Sequence, residues 1–305
     1  MRSTRIAQIG LILWLFSGCQ SSRDDTLRII YTGGILGYLE PCGCREGRVG
    51  GLARLAGSVQ DSLTRWKSSA LLLDAGDFAE TYGAGIEAKN RVILQAFALL
   101  HYDVINVTAQ DLIAGIEMLR WAADSLKLPL ISANLMQKGT GELIFPGWLV
   151  KKAGKRTVGV IGLGAVRPLE MRRARADALD FGDPETALRR ALDQIRGRCD
   201  LTILLCDLTS RSSREMAARI PGIDLIISTM ELTPTDKARK FGHAYVLGAS
   251  RKGKMLTALT LQKDSADSLK VAFSRALLDS TAREDSRIVQ LIKSHNKSNL
   301  FGQNP

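Results

Sequence analysis

Four acidic side chains closely follow four short apolar runs. Asp77 comes after ALLLDAG, Asp111 after DVINVTAQ, Asp207 directly after LTILLC, and Glu231 after DLIISTM. In open α/β sheets, side chains just past the carboxyl ends of strands meet in one crevice. Asp77, Asp111, Asp207 and Glu231 could therefore converge as an all-oxygen site for calcium or magnesium, hard cations that take carboxylate ligands. Cysteines offer a second chemistry. Cys42 and Cys44 lie in EPCGC, soon after the run LRIIYT, and Cys206 closes LTILLC. Three thiols at that edge could hold a soft metal or act in redox exchange. A structural disulfide or buried thiols are the plainer outcome. Cys206 and Asp207 are neighbours, so one of the two points away from the crevice. Together with Cys199 these cysteines allow three pairings, and a Cys42–Cys44 bridge would be strained. His101, His243 and His295 read as cap or surface residues. The text Gly162-Leu163-Gly164 is too short to specify a phosphate loop.

The elements that would position these groups alternate. Leu27 to Thr32, Ala70 to Asp74, Asp103 to Val107 and Pro129 to Ser132 read as buried strands. Helical spacing marks Gly50 to Trp66, Ile86 to Leu100 and Ile113 to Leu126 between them. Such a rhythm gives βαβ units and a mainly parallel sheet, and the continuous apolar strands imply cover on both faces. The pattern then shifts. Trp148 to Lys151 and Arg156 to Gly162 form an antiparallel pair. Helices are expected at Pro184 to Arg196 and Arg211 to Ile220, with strands at Leu201 to Cys206 and Asp224 to Ser228. Ala244 to Ala249 and Met255 to Leu261 read as a closing hairpin turned at Lys252-Gly253. Beyond residue 265 the text is polar, with one helix from Arg283 to Lys293. Three segments result: 1–26 as leader and tether, 27–265 as the folded domain, and 266–305 as a polar extension.

The chain has 305 residues, 45% hydrophobic and 24% charged, with a formal net charge of +11. That balance suits a globular α/β domain with affinity for anionic surfaces. Arg2 and Arg5 precede a short apolar run, Ile6 to Phe16, which falls short of the roughly 20 residues a membrane span needs. The run ends in Phe16-Ser17-Gly18-Cys19, which resembles a bacterial lipobox. Cys19 is the expected acylation site, and a lipid there would hold the protein on a membrane. Gln20 rather than aspartate follows it, which by resemblance to lipoprotein sorting favours the periplasmic face of the outer membrane.

The segments LRIIYTGGILGYLEPCGC, GGLARLAGSV, ALLLDAGDF, ILQAFALLHYDVINV, LPLISANL, TVGVIGLG and IPGIDLIISTMELT resemble the calcineurin-like metallophosphoesterases. The likeness is to the N-terminal domain of periplasmic 5'-nucleotidases and UDP-sugar hydrolases. It runs from Leu27 to about Leu261. It implies a four-layer α/β-β/α sandwich with mixed sheets, and an active site of two metal ions about 3.5–4 Å apart. The family's T-N-D-x-H-G reads Thr32-Gly33-Gly34-Ile35-Leu36-Gly37, so Gly34 and Leu36 stand at ligand positions. Its G-D is intact at Gly76-Asp77, the residue that bridges both metals. Its G-N-H-E reads Thr108-Ala109-Gln110-Asp111. Its S-H leads to Asp207, and its G-G-H-x-H-T reads Ser228-Thr229-Met230-Glu231-Leu232-Thr233. Among the ligand positions only Asp77 is unchanged.

The resemblance therefore implies a phosphoesterase fold without its binuclear centre. No cofactor is expected. The leading expectation is a non-catalytic, lipid-anchored binding or scaffold protein. It would meet an envelope protein or an anionic surface and would not bind nucleic acid specifically. The alternative is a metal-dependent phosphoester or nucleotide hydrolase with a site rebuilt from Asp77, Asp111 and Asp207, or from Cys42, Cys44 and Cys206. A redox accessory role for the CxC is a third reading. Full-length relatives add a C-terminal base-binding domain, and this chain ends about where that domain would start. Without metal, Asp77 is expected to be held by the Gly33-Gly34 amides or by the hydroxyls of Thr32 and Thr108.

Overall fold

The computed structural model describes residues 26–44, 47–66, 70–83, 85–231, 238–263 and 268–301. Cys19 and the leader lie outside the described residues. So do the side chains of Cys42 and Cys44.

The first half of the chain runs β1 (Leu27–Thr32), a small ribbon of β2 (Cys42–Cys44) and β3 (Gly47–Val49), α1 (Leu52–Trp66), β4 (Ala70–Asp74) and α2 (Ile86–Leu100). It continues through β5 (Val104–Asn106), a 3-10 turn (Asp111–Ala114), α3 (Ile116–Asp124), β6 (Leu130–Ile131) and β7 (Leu135–Gln137). The second half holds β8 (Trp148–Ala153), β9 (Arg156–Leu163), α4 (Pro168–Arg173), β10 (Leu179–Phe181), α5 (Pro184–Ile195), β11 (Leu201–Cys206) and α6 (Ser210–Arg219). It closes with β12 (Leu225–Ser228), β13 (Arg239–Phe241), β14 (Ala244–Gly248), β15 (Met255–Lys263), β16 (Leu269–Leu277) and α7 (Ser286–Phe301).

Two six-stranded sheets stack face to face, in the orders β16-β15-β1-β4-β5-β6 and β13-β14-β12-β11-β9-β8. The first is parallel from β1 to β6 with an antiparallel side at β15 and β16, and the second has a parallel centre with two antiparallel edges. Alternation along the strands sorts side chains into three apolar layers. Ile29, Tyr31, Leu71, Leu73, Ile203, Leu205 and Ile227 fill the space between the sheets. Ile30 and Leu72 face the helices on the first sheet, and Leu204, Cys206 and Ile226 face those on the second. The result is the expected four-layer sandwich. No helix among the described residues is long and apolar enough to cross a membrane.

Two expectations are corrected. Residues 244–249 and 255–261 do not form a hairpin. Strand β14 lies parallel to β12 in the second sheet, and β15 lies antiparallel to β1 in the first. The turn at Lys252, with φ 62°, is real, but it carries the chain from one sheet to the other. Nor is the segment after 265 a mere extension. Strand β16 pairs along its whole length with β15, so the boundary expected at 265/266 falls inside one sheet. Its polar text hides a half-buried strand in which Leu269, Val271 and Phe273 pack on the inter-sheet core while Lys270 and Ser274 face out. Helix α7 then docks on α1 and α2, burying Ile288 and Ile292. The helix expected from Ile113 starts later, because the chain first makes the 3-10 turn that carries Asp111.

Candidate functional site

The carboxyl ends of both sheets meet at one edge. Asn106, at the end of β5, joins them: its amide donates to Ala75 O at 3.1 Å and to Leu163 O at 3.0 Å, the ends of β4 and β9. The loop after β1 is sewn to the loop after β4 by backbone bonds. Gly34 N donates to Gly76 O at 2.7 Å, Leu36 N to Asp77 O at 3.1 Å, and Gly37 N to Phe78 O at 2.9 Å. This close approach explains Gly76. Its φ is 94°, and a Cβ there would stand 2.5 Å from Thr108 Cγ2.

Three of the four expected acids lie buried together at this edge, beside the buried Asp74. Asp77 is 1% exposed, with a left-handed φ of 55°. Thr108 Oγ1 donates to its Oδ1 at 2.8 Å, and Thr229 Oγ1 to its Oδ2 at 2.6 Å. Of the expected donors only Thr108 serves. Thr32 instead donates to Asp74 at 2.5 Å and meets the Tyr102 hydroxyl at 2.8 Å. Thr229, two residues before Glu231, was the missed partner. Its signal was a hydroxyl immediately beyond the DLIIS strand.

Asp111 is fully buried and accepts the amides of Asp77, Phe78, Ala79 and Thr108 at 2.8–3.1 Å. Its Oδ2 also lies 2.9 Å from Thr108 Oγ1. Thr108 has one hydroxyl hydrogen and cannot donate to both acids. It faces Asp77 Oδ1 and Asp111 Oδ2 and bonds one of them at a time. Burial, then the facing charge of Asp77, pushes Asp111 well above the usual carboxylate range, against the opposing amides.

Asp207 accepts from Ala165 N at 2.5 Å, and its Oδ2 stands 2.9 Å from Arg167 Nε. That ion pair lies off the hydrogen-bonding line, which leaves Oδ2 without a directed donor. Burial and Asp77 raise Asp207 to about 7, with Arg167 opposing. Glu231 is turned toward another partner. Its two oxygens are held by Arg214 at 2.8 and 3.2 Å. Three of the four acids thus come together and Glu231 is diverted.

Cys206 faces the helices on the second sheet. Its thiol is fully buried, 3.9 Å from Ser213 Oγ, and burial raises it to about 12. Asp207 is the neighbour that faces the crevice, which takes Cys206 out of a three-thiol site with Cys42 and Cys44. Cys199 and Cys206 are free. Each of the three two-bridge pairings uses both, so none of them forms. His101 caps the end of α2, and His243 is exposed.

No family model and no curated protein matches this sequence. Solved structures do. The sulfate thiohydrolase SoxB of Thermus thermophilus aligns with a TM-score of 0.77 at 18% identity, over 88% of this chain and 60% of its own. A 5'-nucleotidase precursor from the same species gives 0.74 at 19%, over 90% and 59%. The calcineurin-like phosphoesterase YfkN of Bacillus subtilis gives 0.71 at 19%, over 90% and 98%. The chain has the metallophosphoesterase fold. It spans about 60% of the length of the first two.

The fold implies a two-metal centre, and the donors at this edge do not fit one. Gly34, Leu36, Ala109 and Met230 offer neither carboxylate nor imidazole; Leu232 lies outside the described residues. Gln110 turns its amide to Ala79 O at 3.1 Å. The acids that remain spend their lone pairs on threonine hydroxyls, backbone amides and Arg167. Among the described residues no group of three or more His, Cys, Asp or Glu side chains is placed to hold a metal ion. Arginines border three of the positions named above, at Gly34, Met230 and Asp207. Arg251 packs on Gly34, where a Cβ would come 3.3 Å from its Cγ, and its Nη1 lies 3.5 Å from Met230 Sδ. Arg167 is paired with Asp207. Each guanidinium therefore touches a position where the fold family places a metal ligand.

Proposed function

We propose that this chain is a lipid-anchored, non-catalytic binding protein of the bacterial cell envelope, built on a metallophosphoesterase domain. One observation carries the reading. The oxygens of Asp77 and Asp111 are engaged by Thr108, Thr229 and backbone amides, and Asp207 accepts from Ala165 N and is paired with Arg167. A phosphoryl-transfer site needs charge placed where it develops in the transition state. Here the positive charge is fixed on Arg167 and Arg251, and Arg167 is already neutralised by Asp207.

The anchor belongs to the same proposal. Cys19 would carry the lipid, and the periplasmic face of the outer membrane is the favoured address. Two assays test the two halves. Purified protein supplied with manganese or zinc is expected to turn over no phosphomonoester, phosphodiester or nucleotide. Metal-dependent hydrolysis that disappears in Asp77→Asn would favour a rebuilt hydrolase and end the non-catalytic reading. For the anchor, Cys19→Ala is expected to move from the membrane to the soluble fraction and lose its lipid label; a variant that stays membrane-bound and labelled refutes it.

A further inference from the structure

Exposed apolar side chains gather at the mouth of the candidate site. Tyr82, Val166 and Leu169 are 63%, 52% and 48% exposed. Val166 adjoins Arg167, the partner of Asp207, and Tyr82 lies five residues beyond Asp77. Arg173 on α4 binds the Tyr82 hydroxyl at 2.5 Å, with its guanidinium 5.1 Å from the ring centre. Residues 165–178 form a strap around α4 in which no side chain is buried. The strap leaves the second sheet after β9 and lies against the 3-10 turn that carries Asp111, so it spans both halves of the site. A cleft of about 200 Å³ runs beside it. Met171, Leu179 and Phe181 give this cleft apolar lining, and Lys138 and Arg172 give it cations beside Arg167, which is paired with Asp207. Asp177 and Asp180 also line it. The strap itself carries four arginines, at 167, 172, 173 and 175, against two acids, Glu170 and Asp177.

We propose that the strap and its cleft form a docking surface for a peptide segment of a partner protein, one that carries both acidic and apolar side chains. Contiguous exposed apolar side chains rimmed by charge mark interaction sites. Arginine and tyrosine are the side chains that most often dominate such interfaces. The concave apolar lining selects a protruding side chain rather than a flat lipid surface. Topology adds a second argument, which rests on the anchor reading above. Thr26 enters β1 at the amino edge of the first sheet, opposite the edge that bears the strap. Thr26 lies seven positions after Cys19, a reach of about 25 Å at full extension. With that reach the amino edge can lie nearest the membrane and leave the strap accessible to a soluble partner.

The test is selection of a random 12-residue peptide display library on the purified protein, with counter-selection on a V166S/L169S/R172E variant whose melting temperature is checked against the parent. None of the three substituted residues belongs to the carboxyl cluster. Enrichment of peptides combining Asp or Glu with Leu, Phe or Trp, whose affinity falls about tenfold or more on the variant, is the expected result. No enrichment, enrichment of basic peptides, or equal binding to the variant overturns the proposal. Sedimentation with phosphatidylglycerol vesicles and measurement of the solution mass form two further arms. Vesicle binding or self-association abolished by the same variant would give the surface to a membrane or to a second copy and overturn the peptide reading. Metal-dependent hydrolysis would defeat the non-catalytic function without moving any of these readouts, so the two failures are distinguishable.

Discussion

In the loops after β4 and β5, Asp77 and Asp111 are held by hydroxyls and backbone amides. In the loops after β11 and β12, Asp207 and Glu231 are held by arginines. The first half stabilises its acids with short-range dipoles, and the second half with permanent cations. A dipolar knot fixes loop geometry, because each bond is directional. An ion pair fixes charge and tolerates some play, as the off-line contact between Arg167 and Asp207 shows. The former site is thus rigid on the side of the first sheet and electrostatically set on the side of the second.

The largest effect should come from the dipolar half. Asp111→Ala strands four backbone amides in a buried loop. It is expected to cost on the order of 4 kcal/mol, read from chemical denaturation. A cost below about 1 kcal/mol would mean that water replaces the carboxyl freely. Next comes the ionic half. Arg167→Met leaves Asp207 buried with a single amide donor and should cost about 2–3 kcal/mol, limited because Asp207 can take up a proton. Adding Asp207→Asn should recover much of that loss, and a double variant as unstable as the single would break the comparison. Asp77 sits between the halves. Asp77→Ala should lose roughly 1–3 kcal/mol by leaving the hydroxyls of Thr108 and Thr229 unpaired, and Asp77→Asn less. Equal, negligible effects would make Asp77 a bystander.

A pH dependence reads the buried acids together. Burial, opposed by Thr32 and Gly76, raises Asp74 from 3.8 to about 7. Between those values the folded state holds the proton that the unfolded chain has released. Stability contributed by this group therefore falls as pH rises from about 4 to 7, then levels. Asp207 and Asp111 shift in the same direction. Melting temperature should be higher at about pH 5 than at about pH 7.5, and Asp74→Asn, which mimics the protonated group, should shrink the difference. An unchanged difference would place the titration elsewhere.

The strand ends and their acids were legible in the sequence because buried strands write themselves as continuous apolar runs. Their partners were not. Thr229 reaches Asp77 across the two sheets and Arg167 reaches Asp207 from the neighbouring strand end, at separations of 152 and 40 residues, and no local pattern encodes such contacts. Strand β16 escaped because half its face is solvent-exposed, so its alternation of Leu269, Val271 and Phe273 with Lys270 and Ser274 reads as polar text. The crossing at Lys252-Gly253 misled for a different reason: a left-handed turn between two strands looks the same whether the second strand pairs back or joins the other sheet. Glu231 shows the limit of position alone. It lies at the right strand end, yet Arg214 on α6 claims it.

On the proposed reading, hydroxyls, amides and arginines take the place of two metal ions. Elemental analysis of the protein, purified after dialysis against manganese and zinc and then gel-filtered, tests it most directly. Well under one metal ion per chain, with a melting temperature unchanged by chelator, is the predicted result. One or two tightly held ions per chain, lost together in Asp77→Asn, would contradict it.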